Sequence, residues 1–197
     1  MSQQLEIEYK NMLTKEEFSK LTSYFSFQKQ DFTRQVNHYF DTAAFSLKDQ
    51  HSALRIREKT GKWELTLKQP AEGPGLLETT QYLSEEEAKK MVDCGELPSG
   101  PVANAIQPLI NGDRLAYFGS LATERAEKPY KKGLIVLDHS EYLSTEDYEL
   151  EYETEDPVEG KKVFLSLLEE QAIPVRKTEN KVRRFYKQKQ HSIDKSK

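Results

Sequence analysis

Leu5-Glu6-Ile7-Glu8-Tyr9-Lys10, close to the start of the 197-residue chain, alternates apolar and charged side chains without a break. A period of two belongs to a β-strand, so one face of this strand is apolar and the other carries two acids and a base. The pattern recurs further on. Leu54-Arg55-Ile56-Arg57 sets two arginines opposite Leu54 and Ile56, and Trp63-Glu64-Leu65-Thr66-Leu67-Lys68 sets Glu64, Thr66 and Lys68 opposite three bulky apolar residues. In Tyr148-Glu149-Leu150-Glu151-Tyr152-Glu153 three glutamates share one face. Glu78, Arg125 and Asp138 add single charges on further predicted strands.

Around these stretches the sequence predicts a helix from Thr14 to about Gln28, capped by Thr14-Lys15-Glu16-Glu17, and then an extended segment Gln35–Thr42 followed by a short polar turn. Strands Ser52–Lys59 and Lys62–Gln69 meet at a tight hairpin signal, Thr60-Gly61. Ala71-Glu72-Gly73-Pro74-Gly75 reads as a loop before a strand over Leu76–Tyr82. Two helices, from Ser84 to about Asp93 and from Pro101 to Ile110, precede strands at Leu115–Glu127, Leu134–Ser140 and Asp147–Thr154. A helix over Val158–Glu170 and a basic helix from Lys177 to about Lys187 complete the pattern, with a polar tail behind them. The expectation is an α+β fold of about eight mostly antiparallel strands, one domain over residues 1–190 and a tail over 191–197.

Composition narrows the function. Apolar residues are 36% of the chain and charged residues 31%, so the core is thin and the polar surface rich. A net charge of −4 argues against a general DNA or anionic-membrane binder, and any anion site must be local. No apolar run has the length of a membrane span, the start lacks a signal-peptide layout, and the expected location is the cytoplasm. Cys94, the single cysteine, excludes an internal disulfide and is expected to be a buried or half-buried residue near a helix end. His38, His51, His139 and His191 have no zinc-site spacing. Neither a G-x-x-x-x-G-K-[ST] loop nor a G-x-S-x-G elbow is present.

Two arrangements account for the alternating strands. Each could lie half buried with its charges in water. Against that, the signs are segregated: acids on the Glu6-Glu8 and Glu149-Glu151-Glu153 strands, bases at Arg55-Arg57, where a solvated face mixes signs to limit repulsion. The other arrangement is a closed barrel with its apolar face outward under helices and its charged face inward. Same-face residues stand about 6.6 Å apart along a strand. Two acidic strands side by side would then offer carboxylates to one or two Mg²⁺ or Mn²⁺ ions, while Arg55, Arg57, Lys68 and Arg125 held an elongated polyanion.

Glu6-x-Glu8-x-Lys10, Leu54-Arg55-x-Arg57, Leu67-Lys68, Glu78, Arg125, Asp138 and Glu149-x-Glu151 stand in the order seen in the CYTH superfamily, the triphosphate tunnel metalloenzymes, and the chain resembles them over about residues 4–187. That resemblance implies a closed eight-stranded antiparallel tunnel with helices outside, a triphosphate substrate, and Mg²⁺ or Mn²⁺. It implies metal ligation by Glu6, Glu8, Glu149 and Glu151, with Asp138 as a further acidic ligand or partner and Glu153 on the same face. Phosphate would be bound by Lys10, Arg55, Arg57, Lys68 and Arg125, with Glu78 orienting one of these bases. The family's basic C-terminal helix, with its Lys-x-x-Ser-Lys-x-x-Arg pattern, is similar to Lys177-Thr178-Glu179-Asn180-Lys181-Val182-Arg183-Arg184, with Asn180 standing where the pattern has serine. Lys177, Lys181 and Arg184 would then share one helix face.

The expected activity is hydrolysis of inorganic tripolyphosphate or an organic triphosphate by metal-activated water, with Glu6, Glu8, Glu149, Glu151 and Lys181 at the reacting centre. Two competing readings are a class IV-type adenylate cyclase making cyclic AMP from ATP, and a non-catalytic protein that binds polyphosphate or nucleotide. The expected partner is a small-molecule triphosphate, with no membrane and no DNA, in a monomer or homodimer.

Overall fold

Alternation sets the strands, and each run of period two in the sequence is a strand in the computed structural model, which describes residues 2–73 and 75–194. The strands are β1 (Ser2–Leu13), β2 (Thr33–Thr42), β3 (Ala53–Lys59), β4 (Lys62–Pro70), β5 (Leu76–Leu83), β6 (Leu115–Tyr130), β7 (Gly133–Tyr142) and β8 (Thr145–Thr154). Between and after them lie helices α1 (Lys15–Tyr24), α2 (Ser46–Asp49), α3 (Glu85–Cys94), α4 (Pro101–Ile110), α5 (Pro157–Glu170) and α6 (Lys181–Asp194). The strands follow the order β1-β5-β4-β3-β2-β6-β7-β8 and close into a barrel. The hairpin between β3 and β4 turns at Thr60 (φ 51°) and Gly61 (φ 73°), a pair of left-handed residues that matches the twist of antiparallel strands. Pro74, within the predicted loop, and residues 195–197 of the predicted tail lie outside the described residues.

The chain forms two compact units, Met1–Glu6 with Gln35–Ser120, and Ile7–Arg34 with Leu121–Lys197. In the first, Leu54 and Ile56 of β3 and Leu65 and Leu67 of β4 lie beneath Ala88 and Met91 of α3 and Val102, Ile106 and Ile110 of α4. In the second, Ile135 and Leu137 of β7 and Leu150 and Tyr152 of β8 lie beneath Leu21 of α1 and Phe164, Leu167 and Leu168 of α5. Burying each such side chain stabilises by roughly 1.5–3 kcal/mol. In both units the helices therefore cover the apolar strand face, and the charged alternate residues occupy the inner face of the barrel.

Several boundaries differ from the sequence reading. The first helix ends at Tyr24, four residues before the predicted Gln28, because Ser26 takes a left-handed conformation (φ 56°) and the Phe27 N–H returns to the Thr22 carbonyl at 2.9 Å. The polar turn after β2 contains α2, whose backbone N–H groups at Leu47 and Lys48 donate to the Asp41 carboxylate at 2.9 and 3.0 Å. The last helix begins at Lys181 and not at Lys177, and it runs through Asp194, past the predicted start of the tail. Cys94 is exposed at the end of α3, not buried. Among the described residues no helix is long and apolar enough to cross a membrane.

Candidate active site

Sheet register builds the charged cluster of the second unit. Arg125 pairs with Asp138 across β6 and β7, Asp138 with Glu149 across β7 and β8, and Lys10 with Glu151 across β1 and β8. Each of these positions has inner-face parity. Arg125 grips Asp138 through two parallel bonds, Nε to Oδ1 at 2.7 Å and Nη2 to Oδ2 at 2.6 Å, and donates from Nη2 to Glu151 Oε2 at 2.7 Å. Lys181 Nζ, from the first residue of α6, lies 2.7 Å from both Asp138 Oδ2 and Glu151 Oε1 and 3.3 Å from Glu149 Oε2. Lys10 Nζ lies 2.5 Å from Glu8 Oε1 and 3.6 Å from Glu151 Oε1. Arg184 reaches Asp147 and Glu149.

These charges are out of water: Asp138 and Glu149 expose 0% of their surface. Burial alone would neutralise carboxylates. For Glu151 that upward push is overcome by Lys181, Arg125 and Lys10, which hold its pKa well below the ordinary carboxylate range. At Asp138 Arg125 and Lys181 likewise outweigh burial. Lys10 and Lys181 are pushed down by burial and pulled up further by the surrounding acids, so both are held as cations. Glu149 is the exception. Burial raises its pKa in spite of Lys181, Lys10 and Arg184, and its Oε1 is buried with no hydrogen-bond partner.

Divalent metal is what the resemblance calls for, and these residues fit it. Carboxylates outnumber cations: Glu8, Asp138, Asp147, Glu149, Glu151 and Glu153 of one inner face stand against Lys10 and Arg125 from the strands and Lys181 and Arg184 from α6. Apart from Asp147, which is taken up by Arg184 and Tyr142, these carboxylates are hard oxygen donors of the kind Mg²⁺ and Mn²⁺ take, and Glu149 Oε1 accepts no hydrogen bond, with the Lys10 ammonium 3.7 Å away. On the opposite, helix-covered face, His139, Glu141 and Glu146 bring donor atoms within 4.8 Å of one another. There His139 Nε2 pairs with Glu146 Oε2 at 2.8 Å, and Tyr148 stacks on His139 at 4.6 Å and donates to Glu146, so two of the three residues are already engaged.

In the first unit a smaller cluster forms on the inner faces of β3, β4 and β5. Lys68 Nζ lies 2.5 Å from both Glu6 Oε2 and Glu78 Oε1, the latter its register partner. Burial pushes the Glu78 carboxyl up, and Lys68 with Arg55 holds it lower than usual. Arg57 donates from Nε to Asn37 Oδ1 at 3.0 Å. Arg55 Nε is buried without an acceptor. Beside them a cavity of about 500 Å³ is lined by Gln4, Glu64, Glu78, Thr80 and Tyr82, a residue that is 75% exposed.

Of the residues singled out in the sequence, Glu8, Lys10, Arg125, Asp138, Glu149, Glu151, Lys181 and Arg184 meet in one cluster, with Glu153 on the same face, and Glu6, Lys68 and Glu78 meet in the other. Lys177 does not share a helix face with Lys181 and Arg184, since it precedes α6 and is exposed. Asn180 Oδ1 accepts from the Arg183 N–H at 3.2 Å, which caps the start of α6. Sequence reasoning missed Asn37, Tyr142 and Asp147. For Asp147 the signal was present, because it shares the parity of Glu149 and Glu151.

A closed antiparallel barrel with buried acids and bases on its inner face defines a class, and the family model of the CYTH domain matches residues 4–186: the chain belongs to the CYTH domain family. It is 54% identical over 196 residues to a Bacillus subtilis (strain 168) protein named "Putative triphosphatase YjbK", spanning 98% of this chain and 100% of that one. The crystal structure of a "putative adenylate cyclase" from Bacillus halodurans superposes with a TM-score of 0.90 at 44% identity, over 94% of this chain and 100% of that chain. The Hippeastrum protein HpAC1, at 24% identity, superposes with a TM-score of 0.79 over 93% of this chain and 96% of its own, a likeness of fold.

Proposed function

We propose that the protein is a divalent-cation-dependent hydrolase that releases the terminal phosphate of triphosphate substrates. The observation that carries this reading is Glu149 Oε1, a buried carboxylate oxygen that accepts no hydrogen bond and has the Lys10 ammonium 3.7 Å away, inside a cluster where acids outnumber bases. Arg55 Nε supports it from the first unit as a buried donor without an acceptor. An acceptor without a hydrogen bond favours a closer cation, and a guanidinium N–H without an acceptor favours an anion. The name of the Bacillus subtilis relative supports the same activity.

A divalent cation held by carboxylates such as Glu8, Asp138, Glu149 and Glu151 would screen the phosphate oxygens and make a neighbouring water more acidic. The protein's own part is charge and position. Lys10, Arg125, Lys181 and Arg184 are spent on carboxylates here, and each can turn N–H groups to phosphate oxygens once those carboxylates have another cation to serve. Arg55, Arg57 and Lys68 are the phosphate donors of the first unit, with Glu6 and Glu78 holding Lys68 in place. No nucleophilic side chain is needed, because phosphoryl transfer is catalysed mainly by positioning and electrostatics.

Phosphate release from tripolyphosphate, thiamine triphosphate and ATP, each with Mg²⁺, Mn²⁺ or EDTA, tests the proposal. Metal-dependent release from at least one substrate is the expected result. The name of the Bacillus halodurans neighbour makes product analysis with ATP the deciding arm. ADP and phosphate support the hydrolase, cyclic AMP and pyrophosphate would replace it with a cyclase, and tight binding without product would make the protein a binder.

A further inference from the structure

Arg184 is pinned on two edges by groups other than the expected metal ligands. Its Nε donates to Asp147 Oδ2 at 2.9 Å, its Nη2 lies 3.3 Å from Asp147 Oδ1, and its Nη1 donates to the Glu179 carbonyl at 2.5 Å. Nη2 also donates to Glu149 Oε2. Asp147 is fixed in turn, since the Tyr142 hydroxyl donates to its Oδ2 at 2.7 Å and the Tyr142 ring packs on Phe185 of α6 at 6.1 Å. Register explains the meeting. Asp147 pairs with Ser140 across β7 and β8, and Tyr142 lies two residues from Ser140 on the same inner face.

This arrangement differs from a simple ion pair. Both Asp147 oxygens are committed, one to Nη2 and the other to Nε and the tyrosine hydroxyl, so Asp147 has little left to offer a ligand. A guanidinium held side-on by a carboxylate and from behind by a carbonyl has its plane set in advance. Only the Nη2 bond to Glu149 ends on a group that a divalent cation would engage.

We propose that Asp147, steadied by Tyr142, is a positioning residue that aims Arg184 at a phosphate oxygen of the substrate without touching the substrate itself. The inference rests on the reading above that Arg184 binds phosphate. A residue that acts only through Arg184 should matter only while Arg184 is present.

The test is a double-mutant cycle on tripolyphosphate turnover with Mn²⁺. Asp147→Asn should lower kcat/KM about tenfold and Tyr142→Phe about threefold. In an Arg184→Ala background each should change it less than about twofold. Equal losses in both backgrounds would make Asp147 a structural prop and overturn the proposal, and Tyr142→Phe, which removes one oxygen only, keeps the test valid if Asp147→Asn folds poorly. Should the wild-type protein hydrolyse no triphosphate, the hydrolase reading fails, and the same cycle is read from equilibrium binding of tripolyphosphate. Non-additive losses of affinity there uphold the positioning role, and additive losses, or no binding by the wild type, overturn it.

Discussion

Lys181 Nζ and Asp138 Oδ2 lie 2.7 Å apart, the ammonium at the first residue of α6 and the carboxylate in the middle of β7 with no exposed surface. The same ammonium meets Glu151 and comes near Glu149, so one cation is shared among three buried acids. A shared cation is what makes so many inner-face carboxylates tolerable without a ligand.

Lys181→Met therefore leaves three acids under-compensated, and breaking a buried pair in this way costs roughly 3–5 kcal/mol. In EDTA the variant's thermal midpoint should fall well below wild type. Added Mn²⁺ should then raise it by more than it raises wild type, because the ion replaces the missing charge. An equal rise in the two proteins would show that no cation enters the acid cluster.

A pH effect is expected at a distance from that cluster. Arg176 donates to both oxygens of Glu17, at 2.7 and 2.9 Å, and this bond is the main reason the Glu17 carboxyl lies below its ordinary 4.5. A folded-state pKa below the unfolded value means stability that is complete above pH 4.5 and lost as the pH falls through the folded value. Wild type should be more stable than Glu17→Gln by a constant margin from pH 6 to 8, and that margin should close below about pH 4.5. Thermal midpoints across the range measure it, and a margin unchanged down to pH 3 would contradict the linkage.

Asn11 has no exposed surface, and its Oδ1 accepts from the Arg176 N–H at 2.6 Å while its Nδ2 donates to the Pro174 carbonyl at 3.1 Å. Asn11→Ala should cost about 1–3 kcal/mol, the range for leaving a buried backbone group unsatisfied. Hydrogen exchange should quicken at the Arg176 amide before it does in β7 or β8. Uniform quickening would mean that Asn11 supports the whole unit and not this segment.

That last contact also explains where the sequence could be read and where it could not. Period-two alternation placed β3, β4 and β8 and sorted their faces, because side-chain direction in a strand is a local property. It brought Glu149, Glu151 and Glu153 to one face. The start of α6 was not legible. Lys177, Lys181 and Arg184 have helical spacing, yet the chain at Arg176–Thr178 is drawn along β1 by Asn11 and by Thr178 Oγ1, which accepts from the Met12 N–H at 2.9 Å. Those partners lie more than 160 positions away in sequence, where no local pattern reports them. The four-residue α2 was hidden for a related reason, since it depends on the buried Asp41 carboxylate and not on a periodic apolar face.

The central claim, that the inner-face acids of β8 hold a cation used on triphosphate, is tested most directly by Glu149→Gln. The amide keeps the shape of a side chain whose burial already disfavours its charge, so the thermal midpoint in EDTA should be at or above that of wild type. Phosphate release from tripolyphosphate with Mn²⁺ should fall by about 100-fold or more. A folded Glu149→Gln protein that releases phosphate at the wild-type rate, with the same dependence on Mn²⁺, would contradict the account.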